Sequence, residues 1–137
     1  MAFVIDASVV LAWMLPDEQS DRAEAVISRV AADQAFAPSL LLLEVGNALL
    51  QAQRRKRIAR SMRAELLEAF TALPLMLEPI SAASMMEAGH IAEAHSLSLY
   101  DGVYVALAAS RNCRLATFDR RLARAAAAVG VELIGAG

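Results

Sequence analysis

One cysteine, Cys113, is the whole thiol content of the sequence, so no disulfide can close within the chain. That fits a reducing compartment, and its apolar neighbours suit a buried structural thiol rather than a nucleophile. A basic excess is also missing: thirteen Lys and Arg against fifteen Asp and Glu leave a formal charge of −2, which excludes a nucleic-acid binder held by overall charge. Six Gly and four Pro in 137 residues, with no Ser-rich or single-sign tract and no repeat of fixed period, leave no linker. A single domain over residues 1–137 is therefore expected. The two histidines, His90 and His95, lie five apart, a spacing that suits neither face of one helix for shared metal binding. There is no Gly-rich phosphate loop of the Walker type and no Ser, His and Asp series, so nucleotide hydrolysis and acyl transfer find no support.

Long apolar runs are missing too, despite a mean hydropathy of +0.44. The longest are broken by Asp6, Glu44 and Asp101 and none reaches a membrane-spanning length. No basic region precedes the first apolar run, so it does not read as a secretory signal, and the expected location is the cytoplasm, with no membrane partner.

What is present is an alternation of short apolar strands and helices. Ala2-Phe3-Val4-Ile5 carries no polar alternation, as in a central parallel strand covered on both faces, and it delivers Asp6 to its carboxyl end. Ser8 follows, able to cap the next helix, over Val9 to Leu15, or to hold Asp6 in place. Helical spacing returns over 20–33, a short strand over 35–37 stops at Pro38, and a long apolar segment from Leu40 to Leu50 predicts a helix buried nearly all round. Residues 61–73 predict a helix, 75–80 a strand, and 82–96 a helix. Asp101 is expected to open a helix to Ser110, followed by a strand over 113–118, a helix from Asp119 to Val129, and a fifth strand over 131–134. The alternation predicts an α/β fold, a three-layer α/β/α arrangement with a central five-stranded parallel sheet, since parallel neighbours need crossover connections.

Four carboxylates fall where such a sheet presents function. Asp6 and Asp119 end strands, Asp101 opens a helix, and Glu44 lies one turn into a helix that follows a strand, so all four share the carboxyl edge. Asp101 and Asp119 also suit helix caps. Glu44, set among Leu42, Leu43, Val45 and Leu50, has no such use; it needs a partner or a cation, with Asn47 one turn on as a hydrogen-bonding amide, unless Glu44, Asn47 and Gln51 form a solvent-facing stripe. Two carboxylates about 4 Å apart repel by about 4 kcal/mol at an effective dielectric of about 20, so an acidic cluster needs protons or cations to persist. Hard oxygen ligands select Mg²⁺ or Mn²⁺, and the matching reaction is phosphodiester hydrolysis.

These residues also carry a resemblance. Val4-Ile5-Asp6-Ala7-Ser8, Pro38 with Glu44, Asn47 and Leu50, Tyr100-Asp101 through Tyr104, Ala106, Leu107 and Ala108, and Leu115-Ala116-Thr117-Phe118-Asp119 with Leu122 and Gly130 resemble the PIN-domain ribonucleases, most closely the VapC-type toxins of toxin–antitoxin pairs. The resemblance implies a PIN-like fold and a Mg²⁺- or Mn²⁺-dependent endoribonuclease. Asp6, Glu44, Asp101 and Asp119 fall on the family's acidic positions, Ser8 and Thr117 on its hydroxyl positions, and Asn47 on its supporting amide. Gly102 stands where alanine is common, which predicts a looser helix start by up to about 1 kcal/mol.

Four further expectations follow. RNA is the substrate, with Trp13 and Tyr100 able to stack bases but better suited to packing. A cognate antitoxin protein is the regulator, and the apolar content of 58% favours a homodimer through the helices at 40–52 and 61–73. The Arg54, Arg55, Lys56, Arg57, Arg60 and Arg63 cluster reads mainly as a solvated helix end. Three other readings stand beside the toxin: a PIN-like nuclease outside a toxin–antitoxin system, a PIN-like RNA- or protein-binding module without catalysis, against which all four acidic positions count, and a phosphatase of small phosphoesters, against which Ser8 counts because that class shows Asp-x-Asp after the first strand.

Overall fold

The computed structural model describes residues 1–134. Its strands are β1 (Phe3–Ile5), β2 (Ala35–Pro38), β3 (Met76–Glu78), β4 (Arg114–Ala116) and β5 (Leu133–Ile134). Its helices are α1 (Ala7–Met14), α2 (Asp21–Ala32), α3 (Leu40–Arg54), α4 (Arg60–Thr71), α5 (Ala82–His95), α6 (Leu99–Ser110) and α7 (Arg120–Ala128). The sheet order is β3-β2-β1-β4-β5 and every pairing is parallel. Phe3, Val4 and Ile5 are fully buried, which is why this strand carries no polar residue: both of its faces are covered.

From β1 the chain moves outward through α1 and α2 to β2, then through α3 and α4 to β3; α5 and α6 carry it back over the sheet to β4, and α7 leads to β5. Right-handed crossovers in opposite directions put the two helix sets on opposite faces, giving the expected three layers. In the returning layer α6 lies against β1, β2 and β4, with α5 packed along it. The direction of winding reverses between β1 and β4, and at such a reversal the loops after the two strands part and leave a crevice at their carboxyl ends. β1 and β4 are level there, Ile5 pairing with Ala116, so the next residues of both strands open into the same place.

Three expectations are corrected. α3 is not buried all round: Leu41, Val45, Leu49 and Ala52 form its buried stripe, while Leu42 and Leu43 are 44% and 73% exposed. An apolar run thus hid a one-sided helix, because a leucine costs little at the surface and periodicity cannot be read where every residue is apolar. Asp101 does not open α6; the helix begins at Leu99 and Ser98 caps it, accepting the Asp101 N–H at 3.1 Å. Gly102 does not loosen that helix start. A Cβ there would stand 2.4 Å from the Ala88 carbonyl oxygen of α5, so the missing side chain is what lets α5 and α6 approach.

Candidate active site

Asp6 is the residue after β1, and its extended backbone (φ −104°, ψ 175°) lets its carboxylate turn back and cap α1, accepting the Val9 N–H at 3.2 Å. Only 4% of its surface is exposed. Two hydroxyls hold it. Ser8 Oγ donates to Oδ1 at 2.6 Å, and Thr117 Oγ1 donates to Oδ2. Each hydroxyl is held in turn by the loop after β4: the Phe118 N–H donates to Ser8 Oγ at 2.9 Å and the Asp119 N–H to Thr117 Oγ1 at 3.0 Å. The carboxylate is therefore fixed by two short relays that tie the end of β1 to the end of β4. Of the two uses foreseen for Ser8, the structure has the second: it holds Asp6, and Asp6 does the capping.

Burial pushes the Asp6 carboxyl up to about 6, above the ordinary carboxylate range; the bonds from Ser8, Thr117 and Val9 pull it down, and the Asp119 charge raises it further. Asp119 N-caps α7, its Oδ1 accepting the N–H groups of Arg121 at 2.9 Å and Leu122 at 3.2 Å. Asp101, half-buried in the first turn of α6, is also pushed up, chiefly by burial and then by the Asp119 charge, while Ser98 and the Arg121 guanidinium act in the opposite direction. That guanidinium is anchored by the Ser96 carbonyl at 2.8 Å. Glu44 on α3 is raised by burial and by the Asp101 charge.

The four acidic side chains are thus linked in series by their charges, Asp6 to Asp119, Asp119 to Asp101, and Asp101 to Glu44. Among the described residues no three His, Cys, Asp or Glu side chains close into a ready metal-binding group. The donor chemistry nevertheless fits a hard cation, since every side chain concerned offers carboxylate oxygen. Such a cation would have Asp6, Glu44, Asp101 and Asp119 to choose from.

Asn47 is exposed on α3, and the hydrogen bond to Glu44 comes instead from Tyr104, whose hydroxyl donates to Oε1 at 2.5 Å. Tyr104 escaped the reading of the chain as a site residue because it sits in an apolar helix; the signal that points to it is its place one turn after Asp101, on the same helix face. Tyr100 is 60% exposed rather than packed, and like Leu43 it directly precedes a site carboxylate. Trp13 is partly buried against the core, as expected, and Cys113 is half-buried. In the basic cluster, Arg57 pairs with Asp17 at 2.7 Å and Glu18 at 2.8 Å, and Arg63 donates to Gln53 at 2.5 Å, leaving Arg54, Arg55, Lys56 and Arg60 exposed.

A five-stranded parallel sheet of this order, with Asp6 and Asp119 in the loops after β1 and β4 where the winding reverses, sets the class, and the chain belongs to the PIN domain family, whose profile matches residues 3–128. Within that family it is 35% identical over 127 residues to Ribonuclease VapC3 of Pyrobaculum aerophilum, covering 90% of this chain and 93% of that one. It is 32% identical over 119 residues to Ribonuclease VapC9 of Mycobacterium tuberculosis, covering 87% of each. Its fold superposes on the crystal structure of VapBC2 from Rickettsia felis, bound to a DNA fragment from their promoter, with a TM-score of 0.71 at 14% identity over 98% of both chains. No helix of the described residues is long and apolar enough to cross a membrane.

Proposed function

We propose that this protein is an endoribonuclease dependent on Mg²⁺ or Mn²⁺, acting in the cytoplasm as the toxin of a toxin–antitoxin pair, its one domain given wholly to that site. The observation that carries the reading is the pair of hydroxyl relays that fix the buried Asp6 carboxylate at the end of β1 beside the loop of Asp119 after β4, in a fold whose sequence relatives are named ribonucleases. In this reading all four carboxylates hold the ion, and Ser8 and Thr117 keep Asp6 facing it. A divalent cation, when bound, supplies positive charge for the phosphodiester in its transition state and makes water acidic enough to attack near neutral pH. The chain's own work is to bring the carboxylates to one edge of the sheet and to fix Asp6 and Asp119 there with neutral donors that leave their charges unpaired. Hydroxyl and backbone donors do this at Asp6, and Asp119 is held by the first N–H groups of α7.

RNA approaches a protein of nearly balanced charge, so its phosphates need local cations. Arg121 on the rim of the site and the exposed Arg54, Arg55, Lys56 and Arg60 supply them. Tyr100 offers an exposed ring next to Asp101 on which a base can stack. The same acidic site suits an antitoxin segment carrying Arg or Lys, whose guanidinium or ammonium would take the cation's place. Exposed Leu42 and Leu43 on α3 keep that helix a candidate surface for a second copy of the chain or for the apolar part of the antitoxin.

The decisive experiment is cleavage of end-labelled RNA by purified protein. Chelation should stop cleavage, Mg²⁺ or Mn²⁺ should restore it, and Asp6→Asn should abolish it with the circular dichroism spectrum unchanged. Cleavage by Asp6→Asn at the wild-type rate would remove Asp6 from the site.

A further inference from the structure

Glu44 differs from Asp6 and Asp119 in what fixes it. Asp6 is tied by two hydroxyls and a backbone N–H, and Asp119 by two N–H groups of its own helix. Both are short side chains held close to the elements that carry them. Glu44 has one more rotatable bond and stands on α3 between exposed Leu43 and fully buried Val45. It accepts a hydrogen bond from a different helix, sixty residues away in sequence, through the Tyr104 hydroxyl. The ring of Tyr104 is 1% exposed and packed in the core, so the donor is as rigid as the core itself.

From this geometry we infer that Tyr104 is a positioning residue for the acidic site: its buried hydroxyl orients the Glu44 carboxylate toward Asp101 and leaves its charge available to a cation. The inference rests on the nuclease reading above. A phenol suits the task better than a Lys or Arg, which would neutralise Glu44 and compete with the metal. A phenol hydroxyl carries no charge of its own near neutral pH, so it can donate to Glu44 without cancelling the carboxylate. Tyr104 lies one turn from Asp101 on α6, so one helix both carries a carboxylate of the site and aims another. The site thus repeats at Glu44 what Ser8 and Thr117 do at Asp6.

The test is Mn²⁺ binding to metal-free protein, followed by the paramagnetic resonance of the free ion, with cleavage of an end-labelled RNA measured in parallel. Tyr104→Phe removes one oxygen and keeps the ring. It should weaken Mn²⁺ binding by about ten-fold or more, as loss of a partner that orients a ligand commonly does, while KM for RNA at saturating Mn²⁺ stays within about two-fold of wild type. In a Glu44→Gln background the same change should alter Mn²⁺ affinity by less than about two-fold, because the residue acts through Glu44. Wild-type Mn²⁺ affinity in Tyr104→Phe, or an equal loss in both backgrounds, would overturn the assignment. Should Tyr104→Phe alone fail to fold, the double variant decides: folded with the affinity of Glu44→Gln it supports the coupling, and unfolded it refutes it. A wild-type protein that neither binds Mn²⁺ nor cuts RNA sinks the nuclease reading itself, an outcome distinct from a working nuclease indifferent to Tyr104.

Discussion

Asp6 ionises in a place that burial makes unfavourable, and the consequence is a stability that depends on pH in an unusual direction. Its folded-state value of about 6 lies above the ordinary 3.8, so the folded protein holds this proton more tightly than the unfolded chain does. The contribution is fully present below the unfolded value and is lost as pH rises through about 6. A shift of this size corresponds to something on the order of 3 kcal/mol. Glu44 and Asp101 are displaced the same way. Asp17 and Asp33, lowered by Arg57 and by the terminal amine respectively, have the opposite sign, and their contribution disappears only as pH falls through their lowered values. Metal-free protein should therefore melt at a lower temperature at about pH 7.5 than at about pH 5. Asp6→Asn should flatten that difference, and Mg²⁺ should raise the melting temperature more at the higher pH, where the carboxylates are ionised. Thermal melts in chelator and in Mg²⁺ measure all three; a metal-free melting temperature that climbs steadily across that range would contradict the burial of Asp6.

Helices α5 and α6 meet at Gly102, and the closeness of that contact sets where Asp101 and Tyr104 stand. A methyl group at Gly102 would press on backbone, the Ala88 carbonyl, which cannot swing aside as a side chain can. Gly102→Ala should cost about 1–3 kcal/mol as an overpacked contact, seen as a melting temperature lower by roughly 5–15 °C. Cleavage should fall as well, because α6 must shift and takes a site carboxylate with it. Unchanged melting would mean that the two helices part freely. Propensity alone gave glycine the wrong meaning here, since a residue's cost in an isolated helix says nothing of the helix packed against it.

For the molecule as a whole, the expected partners follow from surfaces the core cannot hide. Met76, Leu77, Ile80, Met85 and Met86, on and around the edge strand β3 and the start of α5, are 39–60% exposed, and Leu42 and Leu43 add to the apolar surface of α3. A symmetric dimer is expected at micromolar concentration, and sedimentation as a monomer would remove it. Expression of the protein alone should arrest growth. Co-expression of a cognate antitoxin should relieve the arrest, and alanine in place of that partner's basic residues should weaken the relief. Harmless expression accompanied by confirmed RNA cleavage would keep the nuclease and discard the toxin.

Strand and helix order and the parallel sheet were legible along the chain, because buried parallel strands are apolar throughout and polar residues gather at their carboxyl ends. Asp6 with Ser8, and Thr117 with Asp119, could be read as local motifs. Joining them was beyond any local pattern: the relays from Phe118 and Asp119 through Ser8 and Thr117 to Asp6 span more than a hundred residues and exist only because β1 and β4 lie side by side. The exposure of Leu43 and Tyr100, the need for glycine at 102 and the choice of Tyr104 over Asn47 for Glu44 were likewise decided by tertiary structure. Each depends on which surface of one helix faces another, and burial and contact belong to pairs of elements, whereas hydrophobic period and capping belong to one.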